Sequence, residues 1–236
     1  MKMDIRVEKT QTPKAKPAKG EELGFGTHFT DHMFIMDYDA DQGWHDARIV
    51  PFGPIMMHPG STILHYGAGA FEGMKAYRKA DGTCQLFRPE ENAKRMERSI
   101  DRLCLPHLDA ETILDVIERF VAFEQDWVPS EKGESLYIRP YEFGCDEPIG
   151  LHTIKKAKFM IITCPVGNYY KEGLKPVKIA IEEHDVRAVR GGTGDCKVGG
   201  NYAASNRAEA VAEETASHRY FGLTGFIRNI SKKLVQ

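Results

Sequence analysis

Lys197 lies in the string G-G-T-G-D-C-K-V-G-G-N-Y-A-A-S, residues 191 to 205. Glycines on both sides let the backbone approach a ligand closely and take positive φ where needed. The neighbours of the lysine are Cys196 and Val198 rather than charged partners. A lysine held in an enclosed, partly apolar place has a lowered amine pKa, and a neutral amine attacks carbonyls. That is the chemistry of a Schiff-base lysine. A phosphate-binding P-loop requires G-x-x-x-x-G-K-[ST], and with Cys196 and Val198 in the flanking places that reading fails. The same residues also suit a glycine-rich surface loop with a solvated lysine.

Other residues have chemical capacity at weaker specificity. Tyr137 and Arg139 are two apart on a predicted strand and therefore share a face. A guanidinium beside a phenol on one face suits a carboxylate, although a solvated strand face gives the same pattern. Arg95, in A-K-R-M-E-R-S, is by itself one of several surface arginines. The run His65 to Gly73 combines small residues with Tyr66 and Phe71, as a binding loop or a tight turn packed by Phe71 would. Cys196 reads as a small packing residue.

The elements that must position these residues follow from periodicity and breakers. Residues 10 to 22 are polar, hold two prolines and read as part of a flexible N-terminal lead-in over 1–22. A strand is predicted over 28–38, and a hairpin from 74–78 and 84–88 around Asp81-Gly82. Pro89 opens a helix with Glu90 and Glu91 in its first turn, ending before Pro106. A second helix is predicted over 109–127, with Asp109 as N-cap and Ile113, Ile117, Phe120 and Val121 as its apolar stripe. Strands follow over 135–144 and 158–164, then an interdomain linker over 166–176 rich in Gly, Tyr and Lys. A strand over 177–186 and one Ala-rich helix over 200–214 flank the lysine loop. No internal repeat is present.

Composition narrows the class. The chain has 236 residues, 42% hydrophobic and 28% charged, as in soluble globular proteins. A net charge of −2 without single-sign blocks argues against nucleic acid as a partner. No apolar run reaches membrane-spanning length, and the N-terminus lacks the apolar core of a secretory signal. Five scattered cysteines, none in C-x-x-C, suggest neither a disulfide framework nor a metal site and fit a reducing cytoplasm.

Five strings occur in order: L-H-Y-G-A-G-A-F-E-G-M-K-A-Y-R, L-F-R-P-E-E-N-A-K-R-M-E-R-S, S-L-Y-I-R-P, C-P-V-G-N-Y-Y and K-V-G-G-N-Y. Over residues 22 to 214 the chain resembles the branched-chain amino acid aminotransferases, pyridoxal 5'-phosphate enzymes of fold type IV. The resemblance implies an α+β, two-domain fold like that of D-amino acid aminotransferase. A small domain would occupy 23–165, and 177–214 would begin the large cofactor-binding domain. It implies that Lys197 carries the cofactor and shuttles the substrate proton, that Arg95 holds the cofactor phosphate, and that Tyr202 bonds the cofactor's phenolic oxygen. Phe25, Tyr66, Phe71, Tyr137 and Arg139 match substrate-pocket positions. Expected substrates are leucine, isoleucine or valine with 2-oxoglutarate, in a homodimer serving amino-acid biosynthesis. D-amino acid aminotransferases and aminodeoxychorismate lyases are the alternatives within the fold. The motifs around Tyr66 to Arg78 and Ser135 to Pro140 argue against them. An inactive fragment is the alternative of another class.

After Glu214 the resemblance stops, whereas family members continue with a string like L-W-L-D-G…E-E-V-G-T-M-N. Re-reading each codon one nucleotide upstream lets residues 221–225 encode L-W-L-D-G and residues 230–236 encode Y-I-E-E-V-G-T. We therefore expect a frameshift near Glu214–Thr215, an aberrant tail over 215–236, an incomplete second domain and little transaminase activity.

Overall fold

The computed structural model describes residues 3–167, 179–214 and 219–223. It divides into two compact units, Met1–Lys171 and Glu172–Gln236. Most of the predicted linker and the tail positions 215–218 and 224–236 lie outside the described residues.

The first unit contains β1 (Arg6–Val7), β2 (His32–Asp39), β3 (Gly43–Pro51), α1 (Thr62–Tyr66), β4 (Gly69–Phe71), β5 (Met74–Arg78), β6 (Cys84–Leu86), α2 (Pro89–Arg102), α3 (Ala110–Phe123), β7 (Ser135–Gly144) and β8 (Lys156–Val166). The strands form one sheet in the order β1-β3-β2-β8-β7-β5-β6, with β4 also on β7. The pairings are antiparallel except that of β1 with β3.

Register decides which residues share a face. On β7 and β8, Ile138 lies opposite Thr163, and Pro140 opposite Ile161. Phe34 of β2 lies opposite Ile161 in turn. Phe34, Met36, Leu136, Ile138, Phe159 and Ile161 are fully buried together with Met96 and Ile100 of α2 and Ile113, Ile117 and Phe120 of α3. The alternation of period two in the strands and the apolar stripes of the helices account for this core. His32, on the same face of β2, packs edge-on against Phe123 of α3. The opposite face carries a smaller cluster of Met33, Ile35, Phe143 and Met160, and Tyr137 and Arg139 stand on that side of β7.

The predicted hairpin, both long helices and the strand at 135–144 form as expected. Asp109 caps α3, its carboxylate accepting from the Thr112 N–H at 2.8 Å. That helix is shorter than predicted. It ends at Phe123 and is followed by a separate 3-10 turn over Gln125–Trp127.

The segment expected as a flexible lead-in is anchored instead. Val7 lies beside Ile49 in β1 and β3. The Thr10 N–H donates to His32 Nε2 (2.9 Å), and the Lys14 N–H donates to Asp31 (2.8 Å). Lys14 Nζ reaches the carbonyls of Phe29 and Thr30. Polar, proline-bearing composition signals only the lack of a self-contained core. It does not register partners elsewhere in the chain.

The second unit contains β9 (Ile179–Val186), α4 (Gly199–Ala203), α5 (Asn206–Glu214) and β10 (Arg219–Leu223). β9 and β10 pair in parallel, with Phe221 opposite Ile181. The single helix predicted over 200–214 is broken. The Ser205 N–H turns back to Tyr202 O (2.9 Å), and the Ser205 hydroxyl takes Asn201 O (2.9 Å). A serine that bonds the backbone locally competes with helix continuation.

Candidate active site

In the second unit the loop between β9 and α4 presents Lys197. Cys196 and Val198 on either side are buried, while Lys197 is half-buried. Lys197 Nζ donates to the Tyr202 hydroxyl at 2.7 Å and lies 5.2 Å from the centre of that ring. Tyr202 comes from α4, so loop and helix jointly set this pair. Gly191 takes φ +78°, and a Cβ on Gly194 would come within 2.7 Å of Ala188 Cβ. These two glycines are therefore needed for the loop's turn and its close packing.

In the first unit β7 projects Tyr137 and Arg139 from one face, as their spacing requires. Arg139 donates to the Tyr137 hydroxyl (2.8 Å). Its guanidinium carbon lies 4.8 Å from the centre of the Phe71 ring and 5.3 Å from that of Tyr137, a cation held against aromatic faces. Phe25 meets Tyr137 edge-on at 4.9 Å. Arg139 Nε is buried without a hydrogen-bond partner, so the guanidinium retains a donor directed away from water. Gly73 is required here, because a Cβ would overlap the Tyr137 hydroxyl. Four of the predicted pocket residues, Phe25, Phe71, Tyr137 and Arg139, are thus brought together. Tyr66 closes α1 and is 42% exposed.

Arg95, on α2, is not a bare surface arginine. It forks onto Glu72, with Nε on one carboxylate oxygen and a terminal nitrogen 2.8 Å from the other. Glu72 is fully buried, and it also accepts from Asn92 Nδ2 (2.9 Å) and the Gly73 N–H (3.0 Å). Planar bidentate pairing fixes the orientation of a guanidinium in a way that a lysine cannot reproduce. Glu72 follows Phe71 directly, so one short stretch packs the Arg139 group and orients Arg95. The sequence reading passed over Glu72 and Asn92, whose signals were a lone acid between Phe71 and Gly73 and an asparagine one turn before Arg95. Among the described residues no cluster of His, Cys, Asp and Glu suits a metal ion.

No family model matches the chain. It is 48% identical over 235 residues, all of its length, to "Branched-chain-amino-acid aminotransferase 2" of Bacillus subtilis strain 168, of which it covers 63%. It is 46% identical over 226 residues to a "Probable branched-chain-amino-acid aminotransferase" of Staphylococcus aureus strain N315, covering 95% of this chain and 63% of that one. Among solved structures, a T.th. branched-chain amino acid aminotransferase with pyridoxamine 5'-phosphate has a TM-score of 0.64 at 25% identity. That match covers 80% of this chain and 59% of the other. A branched-chain aminotransferase from Thermoproteus uzoniensis with norvaline gives a TM-score of 0.65 at 24% identity, over 82% and 60% of the two chains. The fold is that of fold type IV aminotransferases, as expected. The chain spans about 63% of the length of the curated relatives it matches. Along its whole length the chain is thus similar to proteins named branched-chain-amino-acid aminotransferases, at 46–48% identity.

Proposed function

We propose that this chain carries the lysine loop and the small domain of a pyridoxal 5'-phosphate-dependent transaminase. It would exchange the amino group between leucine, isoleucine or valine and 2-oxoglutarate. The observation that carries the reading is the Lys197–Tyr202 pair, at 2.7 Å on a glycine-bounded loop, in a chain so similar to named aminotransferases. Within the second unit the donor set fits the cofactor: an amine and a phenol side by side on the loop. When bound, the cofactor supplies an electron sink that eases removal of the amino acid's Cα proton.

The chain's own residues divide the remaining work. The Lys197 amine is the nucleophile that holds the cofactor and the base that moves the proton. The Tyr202 hydroxyl orients that amine and supplies a hydrogen bond to the cofactor's phenolic oxygen. Arg95, held by Glu72, presents its outer edge to a phosphate. Arg139, a guanidinium beside the Tyr137 hydroxyl, suits a substrate carboxylate. Phe25, Phe71 and Tyr66 offer apolar surface to a branched side chain. We read the protein as a cytoplasmic homodimer acting on small amino acids and 2-oxo acids in amino-acid biosynthesis.

The test is to incubate the protein with pyridoxal 5'-phosphate, reduce with borohydride and map the pyridoxyl label, then assay leucine with 2-oxoglutarate. The label should fall on Lys197, and Lys197→Ala should lose the label together with any turnover that the wild type shows. Labelling of Lys197→Ala to the wild-type extent would reject the assignment.

A further inference from the structure

Asn201 is buried in the first turn of α4, and its side-chain amide ties that helix to the lysine loop. Its Nδ2 donates to the carbonyls of Thr193 (2.7 Å) and Cys196 (2.9 Å). Its Oδ1 accepts from the Thr193 hydroxyl (2.9 Å). Its backbone N–H turns to Val198 O (3.2 Å), and its carbonyl takes the Ser205 hydroxyl. Flipping the amide would set Oδ1 against two carbonyl oxygens, so the partners fix its orientation. The two carbonyls it binds lie on the N-terminal side of Lys197, and Val198 lies on the other. The next residue along α4 is Tyr202, the partner of the lysine amine.

We propose that Asn201 is a positioning residue for Lys197, clamping residues 193–198 to α4 so that the amine is held at Tyr202 before any ligand arrives. The inference rests on the proposed role of Lys197 and adds how that lysine is held. A loop with glycines at 191, 192, 194, 199 and 200 has many accessible conformations. Lys197 Nζ sits at the end of a flexible stem, so one hydrogen bond to Tyr202 does not fix the backbone beneath it. The Asn201 amide supplies that restraint from within the protein, with three hydrogen bonds to side-chain and backbone partners. A buried amide so satisfied is replaced at a cost, because its former partners are left unmet.

The full chain, wild type and variants, is to be treated with pyridoxal 5'-phosphate and borohydride across pH, with the fraction of label on Lys197 measured against other lysines. Amide hydrogen exchange over 193–198 is followed in parallel without cofactor. Asn201→Asp keeps the shape and the Oδ acceptor but removes both donors, and should lower selectivity for Lys197 about tenfold while speeding loop exchange. Thr193→Val removes one bond of three and should have a smaller effect of the same kind, which serves if Asn201→Asp folds poorly. Both the position of the labelling pH profile and the loop's exchange should change, while exchange in β7 and β8 stays as in wild type. Selective wild-type labelling that persists unchanged in the variants would overturn the clamp and leave the function standing. Wild-type labelling without preference for Lys197 would instead reject the functional reading. In that case loop exchange alone decides: faster exchange in Asn201→Asp supports the clamp, and unchanged exchange overturns it.

Discussion

At the scale of single residues, the chemistry depends on charges and hydrogen bonds that a second residue holds in place. Arg95 illustrates this, since its guanidinium is tied to a carboxylate that is wholly inside the protein. Truncating one partner of a buried pair leaves the other charge unmet, at a cost of roughly 3–5 kcal/mol for a fully buried pair. The Arg95 side chain is 43% exposed, so solvent screening reduces this to about 1–2 kcal/mol. Arg95→Ala is therefore expected to lower thermal stability and to weaken retention of pyridoxal 5'-phosphate. Pairing it with Glu72→Gln removes the stranded charge, so stability should recover while cofactor retention does not. Denaturation and equilibrium dialysis on the single and double variants check this. Full recovery of cofactor binding in the double variant would show that Arg95 acts only through Glu72.

At the scale of elements, caps and anchors decide where helices and arms begin. Both oxygens of Asp109 are used at the start of α3, one by the Thr112 N–H and one by the Thr112 hydroxyl at 2.7 Å. Removing an N-cap of this kind costs about 1 kcal/mol. Asp109→Ala should lower the unfolding free energy by about that amount, and the denaturation midpoint with it, and Asp109→Ser should restore most of it. An unchanged midpoint in Asp109→Ala would show that α3 is held by packing alone. The N-terminal arm depends on His32. Its Nδ1 lies 2.6 Å from buried Glu124, while its Nε2 accepts from Thr10. That arrangement uses the neutral ring with the proton on Nδ1, so the arm is docked by a particular tautomer rather than by its own propensity.

At the scale of the whole molecule, one buried group ties the stability of the first unit to pH. Glu142 projects from β7 on the helix-covered face, and both of its carboxylate oxygens are buried without a hydrogen-bond partner. Burial pushes its pKa up from 4.5 to about 9, and the charge of Asp101 adds to the rise. The folded state thus keeps this proton while the unfolded chain releases it above pH 4.5. Stability from this group is fully present below that value and is lost as pH rises toward about 9. Glu142→Met replaces the acid with an apolar side chain of similar size, and should raise the melting temperature more at pH 8 than at pH 5. Thermal melts at the two pH values provide the check, and an equal shift at both would show that Glu142 is not held neutral in the fold.

How much of this was legible in the chain depends on the range of the interactions. The two long helices, the hairpin and β7 were readable because their signals are local: a proline and an aspartate at helix starts, Asp-Gly at the turn, and apolar spacing that matches each element. Tyr137 and Arg139 had to share a face because strands alternate, and the type of Lys197 and its glycines pointed to an amine presented on a loop. Strands β1, β3 and β4 were not read, since short or mixed-polarity strands are defined by their neighbours. Residues 3–22 lacked any signal of their anchorage, because His32 and Asp31 meet them only across the fold. The break between α4 and α5 turns on what the Ser205 hydroxyl bonds, which its identity leaves undecided. Glu72, Asn92, Asn201 and the stranded Glu142 look like ordinary polar residues in the sequence. Only the tertiary structure decided that they are buried, because burial depends on segments far apart in the chain closing around them.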